Sequence, residues 1–541
     1  MQKKNTDTKN YSKQFFSGVA VLAISTFIVK VIGLFYKIPM MSYLGAEGMG
    51  YFNSAYDIYS LFFVISTTGI PVAISILVAE NKSKGRIKNI KKIFNVSLGV
   101  LLFLGLVGSL IMGIFHDRLA QAINNNGAAF CILAISPTVL MICVSSAIRG
   151  YFQGEQRMTP TAISQVIEAL GKLLLGLGFA IVAINQGYDV PTVAAFAILG
   201  VTLGVAISML FLILYKLFKR IDSTDLPLSS SVDTKDQILQ KLLKIAIPIT
   251  LSSTILSLIK IVDMTMILKR LSDIGFTQEQ ANAIYGSYST MAISIYNLPS
   301  TLISAIALPL VPLLVSAIES GDTAKEKNVI ALSYKTTSLI AFPMGLGIAV
   351  FSEPILKLLF ASQQREIEYT APLLSLLGLS VFLSAMTTTT NAVLQAYKQV
   401  RKPIISMLVG VSVKVLLAFI LIGLPRVNIY GAPISTFVSS VVIVALNLYF
   451  ILKQSVKIGT VFNLFTKPFL SALISIAIGT VLYVFMIDYV TSKLLILPII
   501  FIVALIYVFV AIKLRAIEKK DILMLPRGES IVTILSKIHL V

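Results

Sequence analysis

Apolar runs of twenty or more residues alternate with short polar connections along the whole chain. They fall at 16–41, 51–79, 93–115, 127–148, 160–184, 191–217, 242–268, 285–314, 329–351, 368–394, 403–424, 431–452, 467–487 and 494–513. Each is long enough to cross a hydrocarbon core of about 30 Å as a helix. None shows the strict apolar/polar alternation of a membrane-barrel strand. The pattern predicts an all-α polytopic membrane protein with about 14 transmembrane helices. The first run lacks a small-residue cleavage site and a second run follows closely, so it reads as a span and not as a cleaved leader.

Composition supports this and removes the main alternative. Of 541 residues, 56% are hydrophobic and 13% charged, against roughly 25% charged in an ordinary soluble protein. A string of soluble domains is excluded. The excess of 45 Lys+Arg over 25 Asp+Glu would suggest a nucleic-acid partner if it were spread over a soluble surface. It is not so spread. With the N-terminus inside, 32 basic residues fall in the inner connections and 7 in the outer ones, the asymmetry of the positive-inside rule. The expectation is a multi-pass protein of the cell membrane with both termini cytoplasmic, its basic connections attracted to anionic membrane lipids and no nucleic acid involved. Cys131 and Cys143 share one apolar run and the only histidines are His116 and His539, so a metal site is not expected.

The chain reads as internally duplicated. Lys30 and the stretch ending in Pro71 and Glu80 are echoed by Lys260 and the stretch ending in Pro309 and Glu319. Pro160 is echoed by Pro403, and the offsets are 230 for the lysines, 238 for the first prolines and 243 for the second pair. Recurrence of proline after apolar runs is the simpler alternative. Duplication of six spans implies parallel repeats, with a site between two pseudo-symmetric six-helix lobes. The expected domains are an N-lobe at 1–217, a polar cytoplasmic linker at 218–241, a C-lobe at 242–452, and two C-terminal helices with a cytoplasmic tail at 453–541.

A charge near the bilayer centre costs about 2.5–3.5 kcal/mol on insertion scales, so each one is a candidate for function. Within the spans lie Lys30, Lys37, Lys172, Lys260, Lys335 and Lys414, against Asp57, Glu168 and Asp263. Surplus lysine suits an anionic passenger. Lys30 and Lys37 are seven residues apart, so they share a helix face about 10 Å apart along the axis. Lys37 can either line a site or extend to the outer interface, and Asp57 can neutralise it or simply mark that interface. Lys260 with Asp263, and Glu168 with Lys172, have the spacing of pairs within one helix; each couple is either self-neutralised structure or a gate that opens. Lys335, near the inner end of its span, is expected to extend to the interface. Gly69, Pro71 and Pro299 interrupt spans and read as hinges or as plain kinks.

The stretches "KVIGLFYKIPMMSYLGAEGMGYFNSAYDIYSLFFVISTTGIPVAISILVAE" and "IRGYFQGEQRMTPTAISQVIEALGKL" resemble the polysaccharide-biosynthesis branch of the multidrug/oligosaccharidyl-lipid/polysaccharide exporter superfamily. Within it the chain is similar to the Gram-positive lipid II flippases and the stage V sporulation protein B group. The resemblance implies two six-helix lobes around a cationic cavity, two last helices that form a groove for a polyprenyl tail, and alternating access that moves an undecaprenyl-pyrophosphate-linked cell-wall or polysaccharide precursor outward. Lys30 then occupies the place of a cavity arginine. Tyr36 stands where those flippases have a second arginine, with Lys37 next to it.

The expected function is a flippase and not an enzyme. Lys30, Lys37, Asp57, Arg149 and Lys260 would bind a lipid-linked anionic glycan, and Asp263, Glu168 and Lys172 would form gating ion pairs. A phosphate-cradling G-x-x-x-x-G-K-[ST] loop is missing, so no ATP site or other cofactor is expected and a coupling ion or the membrane potential would drive a monomer. Two other readings compete: a multidrug/cation antiporter of the same superfamily, for which surplus carboxylates would be expected, and a non-transporting scaffold for envelope or spore assembly.

Overall fold

The computed structural model describes residues 2–218, 233–307, 310–453, 462–487 and 492–519. Most of the expected linker, Pro309 and the end of the tail lie outside these residues. All regular structure among them is helical. Twelve segments are long and apolar enough to cross a membrane, and the first, Ser25–Ser83, holds 59 residues, enough for two crossings. With the region expected at 285–314, which includes the undescribed 308–309, the count agrees with about fourteen spans.

The chain divides into two compact units, Met1–Gly286 and Ser287–Val541. In the first, α1 (Gln2–Thr67) is followed by α2 (Gly69–Ser83), α3 (Ile87–Ile114), the short α4 (His116–Ala122), α5 (Ala129–Gly154), α6 (Thr159–Asn185), α7 (Val190–Phe218), α8 (Lys235–Asp273) and α9 (Gln278–Ser287). α1 is two helices joined at Gly45, whose φ of 66° is a conformation that side-chain-bearing residues rarely adopt. α6 packs along α7 and α1. The α6–α7 seam is made of glycines: a Cβ on Gly171 would come within 2.5 Å of Gly204 Cα, and one on Gly200 within 2.4 Å of Gly176 Cα. Small residues let membrane helices approach at backbone distance, where dispersion contacts substitute for the missing hydrophobic drive. α8 packs on α1, α2 and α3, so this span clusters with the helices that precede it. The interior around them is built from Ile74, Leu77, Ile93, Leu101, Ile148 and Leu242.

The second unit contains α10 (Ile293–Ala307), α11 (Leu310–Glu319), α12 (Thr323–Val350), the short α13 (Ser352–Leu359), α14 (Gln364–Ala396), α15 (Arg401–Ile422), α16 (Gly431–Leu452), α17 (Lys467–Ile487) and α18 (Ile496–Lys513). α17 and α18 pack on each other and α17 on α12, with Tyr507 of α18 donating to the Leu339 carbonyl at 2.7 Å. Lys335 reaches the segment that follows the last span. It is 7% exposed and pairs at 3.4 Å with Glu518, just beyond α18, because the chain after the last span turns back over α12.

One polar clasp closes the basic end of the first unit. Asp233 precedes α8; its backbone N–H donates to Asn89 Oδ1 at 2.9 Å, its carbonyl accepts from Lys92 Nζ at 2.6 Å, and its carboxylate pairs with Lys241 at 2.6 Å. That hydrogen bond from Lys241 holds the Asp233 carboxyl below the usual carboxylate range. A depressed carboxyl contributes to stability above its unfolded pKa and loses that contribution as pH falls through the folded value. Amide protection over 233–244, taken relative to the intrinsic exchange rate at each pH, is therefore expected to be high at neutral pH and to fall as pH drops below about 4. Asp233→Asn should show the lowered protection already at pH 7.

Candidate functional site

Two clusters of ionisable groups lie within the apolar helices of the first unit. The first gathers the halves of α1 on either side of Gly45 and the middle of α8. Asp57 accepts a hydrogen bond from the Tyr285 phenol of α9 and stands within the fields of Lys260, Lys37 and Asp263. Lys37 in turn lies in reach of Asp57 and Lys260. Lys37, Asp57 and Asp263 are half-buried and Lys260 is exposed. Lys30 is exposed on the same helix face, one step of seven residues before Lys37. Two ammonium groups and two carboxylates cancel, which makes the set tolerable inside an apolar bundle. Such a set can also open. If an anion took the place of Asp57 beside Lys37 and Lys260, the Tyr285 phenol would keep the released carboxylate hydrogen-bonded. Tyr285→Phe should therefore lower transport several-fold, in line with the roughly 1.5–3 kcal/mol of a hydrogen bond to a charged group, and a vesicle transport assay measures it.

The second cluster is set deeper, among α5, α6 and α7. Glu168 bridges Arg149 at 3.0 Å and Lys172 at 3.0 Å. The Arg149 Nε donates to Ser164 Oγ at 2.9 Å and its Nη2 also donates to Ser208 Oγ at 3.2 Å. Lys172 reaches the Tyr56 phenol oxygen at 3.4 Å. Arg149 is 8% exposed and Glu168 7%. Arg149, expected at the head group, is thus held in a network of side chains from three helices. The expected Glu168–Lys172 pair is present, with Arg149 added to it.

The hinge candidates are placed by packing. Gly69 opens α2 directly after a break at Thr68, and a Cβ there would meet Thr250 Oγ1 of α8 at 2.1 Å. Pro71 is buried, with its Cα 2.9 Å from where a Cβ on Gly150 of α5 would sit. Pro299 lies inside α10, after a π-turn at Tyr288–Ala292.

A third polar set was not expected from sequence. Asn125 Nδ2 donates to Ser54 Oγ at 2.9 Å and to Asn282 Oδ1 at 2.7 Å, and Asn282 Nδ2 donates to the Glu47 carbonyl at 2.7 Å. Asn125, Ser54 and Asn282 are all fully buried. They fasten α9 onto α1 at the end that the basic residues assign to the outside. The asparagine run at 124–126 and the glycines at 48 and 50 were the available signal.

A bundle of about fourteen helical crossings with ion pairs enclosed in it defines a multi-pass membrane protein, and its fold is that of known membrane transporters. A solved structure titled "Lipid II flippase MurJ, inward closed conformation" superposes with a TM-score of 0.70 at 16% identity, covering 92% of this chain and 99% of that one. The chain belongs to the polysaccharide biosynthesis protein family, whose model matches residues 15–318. A MatE model matches residues 248–420. Among curated proteins, the stage V sporulation protein B of Bacillus subtilis (strain 168) is 26% identical over 443 residues, 80% of this chain and 82% of that protein. The lipid II flippase MurJ of the same organism is 26% identical over 442 residues, 79% of this chain and 80% of its own length.

Proposed function

We propose that the protein is a flippase that carries an undecaprenyl-pyrophosphate-linked, lipid II-like cell-wall or polysaccharide precursor across the cytoplasmic membrane by alternating access. One observation carries the reading: Lys37 and Lys260, from helices more than two hundred residues apart, both stand within the field of Asp57, the carboxylate that accepts from the Tyr285 phenol. Two compact point charges suit a diffuse, doubly charged pyrophosphate, and Lys30 extends the same face by about 10 Å for a longer head group. Asp57 and Asp263 neutralise the lysines when no substrate is present. Arg149 and Glu168 have a positioning part, holding α5, α6 and α7 together. The similarity to a lipid II flippase over most of the chain supports the substrate class.

Depletion of the protein, followed by mass spectrometry of lipid extracts, tests this. A polyprenyl-pyrophosphate glycan is expected to accumulate; an unchanged lipid-linked pool would end the proposal. The match of a MatE model to residues 248–420 favours a second reading, a multidrug/cation antiporter. Efflux of a fluorescent cation from cells that express the protein, abolished by Asp57→Asn, would establish that one instead.

A further inference from the structure

The two ionic clusters differ in charge. The set around Asp57 closes to zero, whereas Arg149, Lys172 and Glu168 leave one positive charge over. The helices packed against α6 are α7, α1 and α5. Their other charged groups, among residues with described side chains, are Lys216 on α7 and Lys30, Lys37, Glu47 and Asp57 on α1. Asp57 accepts from the Tyr285 phenol and lies within the fields of Lys37 and Lys260, and Glu47 accepts from the Tyr51 phenol at 2.9 Å. Among the described residues of these helices, no carboxylate besides Glu168 is paired with Arg149 or Lys172.

Hydrogen-bond donors show the same surplus. Arg149 uses Nε and Nη2, and no described residue accepts from its Nη1. The Ser164 and Ser208 hydroxyls already donate to the carbonyls of Thr161 and Ser164, both at 2.7 Å. The Tyr59 phenol, 1% exposed, has no hydrogen-bond partner among the described residues, and it lies within the fields of Glu168, Tyr56 and Arg149. The Tyr36 phenol of the same helix is also buried and without a partner. Phenols and guanidinium groups can be satisfied by water, but water leaves the charge in place. An acceptor-only ion answers both excesses together. A compact monovalent anion brings the triad to zero; a pyrophosphate, with two or more charges, would overshoot.

We infer that the interior of the first unit holds a binding site for a small monovalent anion of the halide class, formed by Arg149, Lys172 and Tyr59. The bound ion completes the junction of α5, α6 and α7 and holds Lys172 over Tyr56. It is distinct from the lysines around Asp57 that would meet the substrate, so it stands whether or not the transport reading holds.

The test uses the full-length protein purified in detergent, exchanged into sodium gluconate and titrated with sodium chloride or sodium bromide at constant ionic strength. A saturable rise in melting temperature is expected with both halides. Tyr59→Phe should keep the fold and weaken the apparent halide affinity about tenfold, the loss of one hydrogen bond to a charged partner. Lys172→Met makes the triad neutral, so it should melt in gluconate as high as the parent does in chloride and no longer respond to halide. Lys414→Met, in the second unit, should respond as the parent does. A parent that melts alike in gluconate and chloride, or a Lys172→Met variant with the full halide response, overturns the inference.

Discussion

Lys37→Met is expected to reduce translocation of the lipid-linked precursor at least about a hundredfold while the protein still inserts and folds. Charge-assisted hydrogen bonds are worth about 1.5–3 kcal/mol each. A lysine on a pyrophosphate makes one or two of them, and every 1.4 kcal/mol is about a factor of ten. The variant also leaves Asp57 facing Lys260 alone, so part of the loss would be structural. A second substitution separates the two effects. Lys37→Met with Asp57→Asn restores the charge balance, and thermal stability should return while transport does not. Lys37→Arg keeps a charge at the site and should stay within about tenfold of the parent. Reconstituted vesicles carrying a labelled precursor, with head-group accessibility read on the far side, measure all three. Transport that recovers together with stability in the double variant would make Lys37 a structural residue and remove it from the substrate site.

How far the site could be read from sequence depended on how local each relation is. Glu168 and Lys172 are four residues apart on one helix, so their pairing followed from helix geometry alone, and the structure has it at 3.0 Å. Arg149 joins the same carboxylate only because α5 and α6 lie together, and Ser208 only because the glycine seam brings α7 against α6; neither is a matter of spacing. Likewise a lysine in an apolar run announces itself, and Lys37 and Lys260 were legible as unusual. Their approach to one carboxylate depends on the bend at Gly45 and on α8 packing with α1. Lys335 was read from its nearness to the end of its span, whereas its partner Glu518 lies 183 residues further on. Buried amides give even less warning. Asn125 and Asn282 carry no charge, and the asparagine run at 124–126 reads equally well as an ordinary polar connection until the burial of Asn125 and Asn282 is seen. The helices themselves were read easily, because an apolar run of span length has few other fates.

The same amides carry the second large expected effect, since α9 meets α1 there at backbone distance. A Cβ on Gly286 would sit 2.0 Å from the Ala46 carbonyl oxygen and 2.6 Å from Gly50 N, and one on Gly50 would sit 2.3 Å from the Asn282 carbonyl oxygen. Each obstacle is main chain, so no rotamer change relieves it and the helices must part. Gly286→Val should separate α9 from α1 and break the 2.7 Å bonds from Asn125 to Asn282 and from Asn282 to Glu47. Overpacking and two orphaned amide groups together are worth on the order of 5 kcal/mol. That is enough to hold the outer end open and to reduce transport at least tenfold. A Ser54→Cys reporter reads the opening directly, because Ser54 is fully buried beneath Asn125 and the two native cysteines are buried too. An impermeant maleimide added outside should label Ser54→Cys only in the Gly286→Val background. The control is Gly33→Val, since a Cβ at Gly33 meets nothing within 4 Å; it should leave the reporter protected. Equal labelling in the two backgrounds would show that the amide clasp does not seal this end, and the gate would then have to be sought elsewhere along α1 and α8.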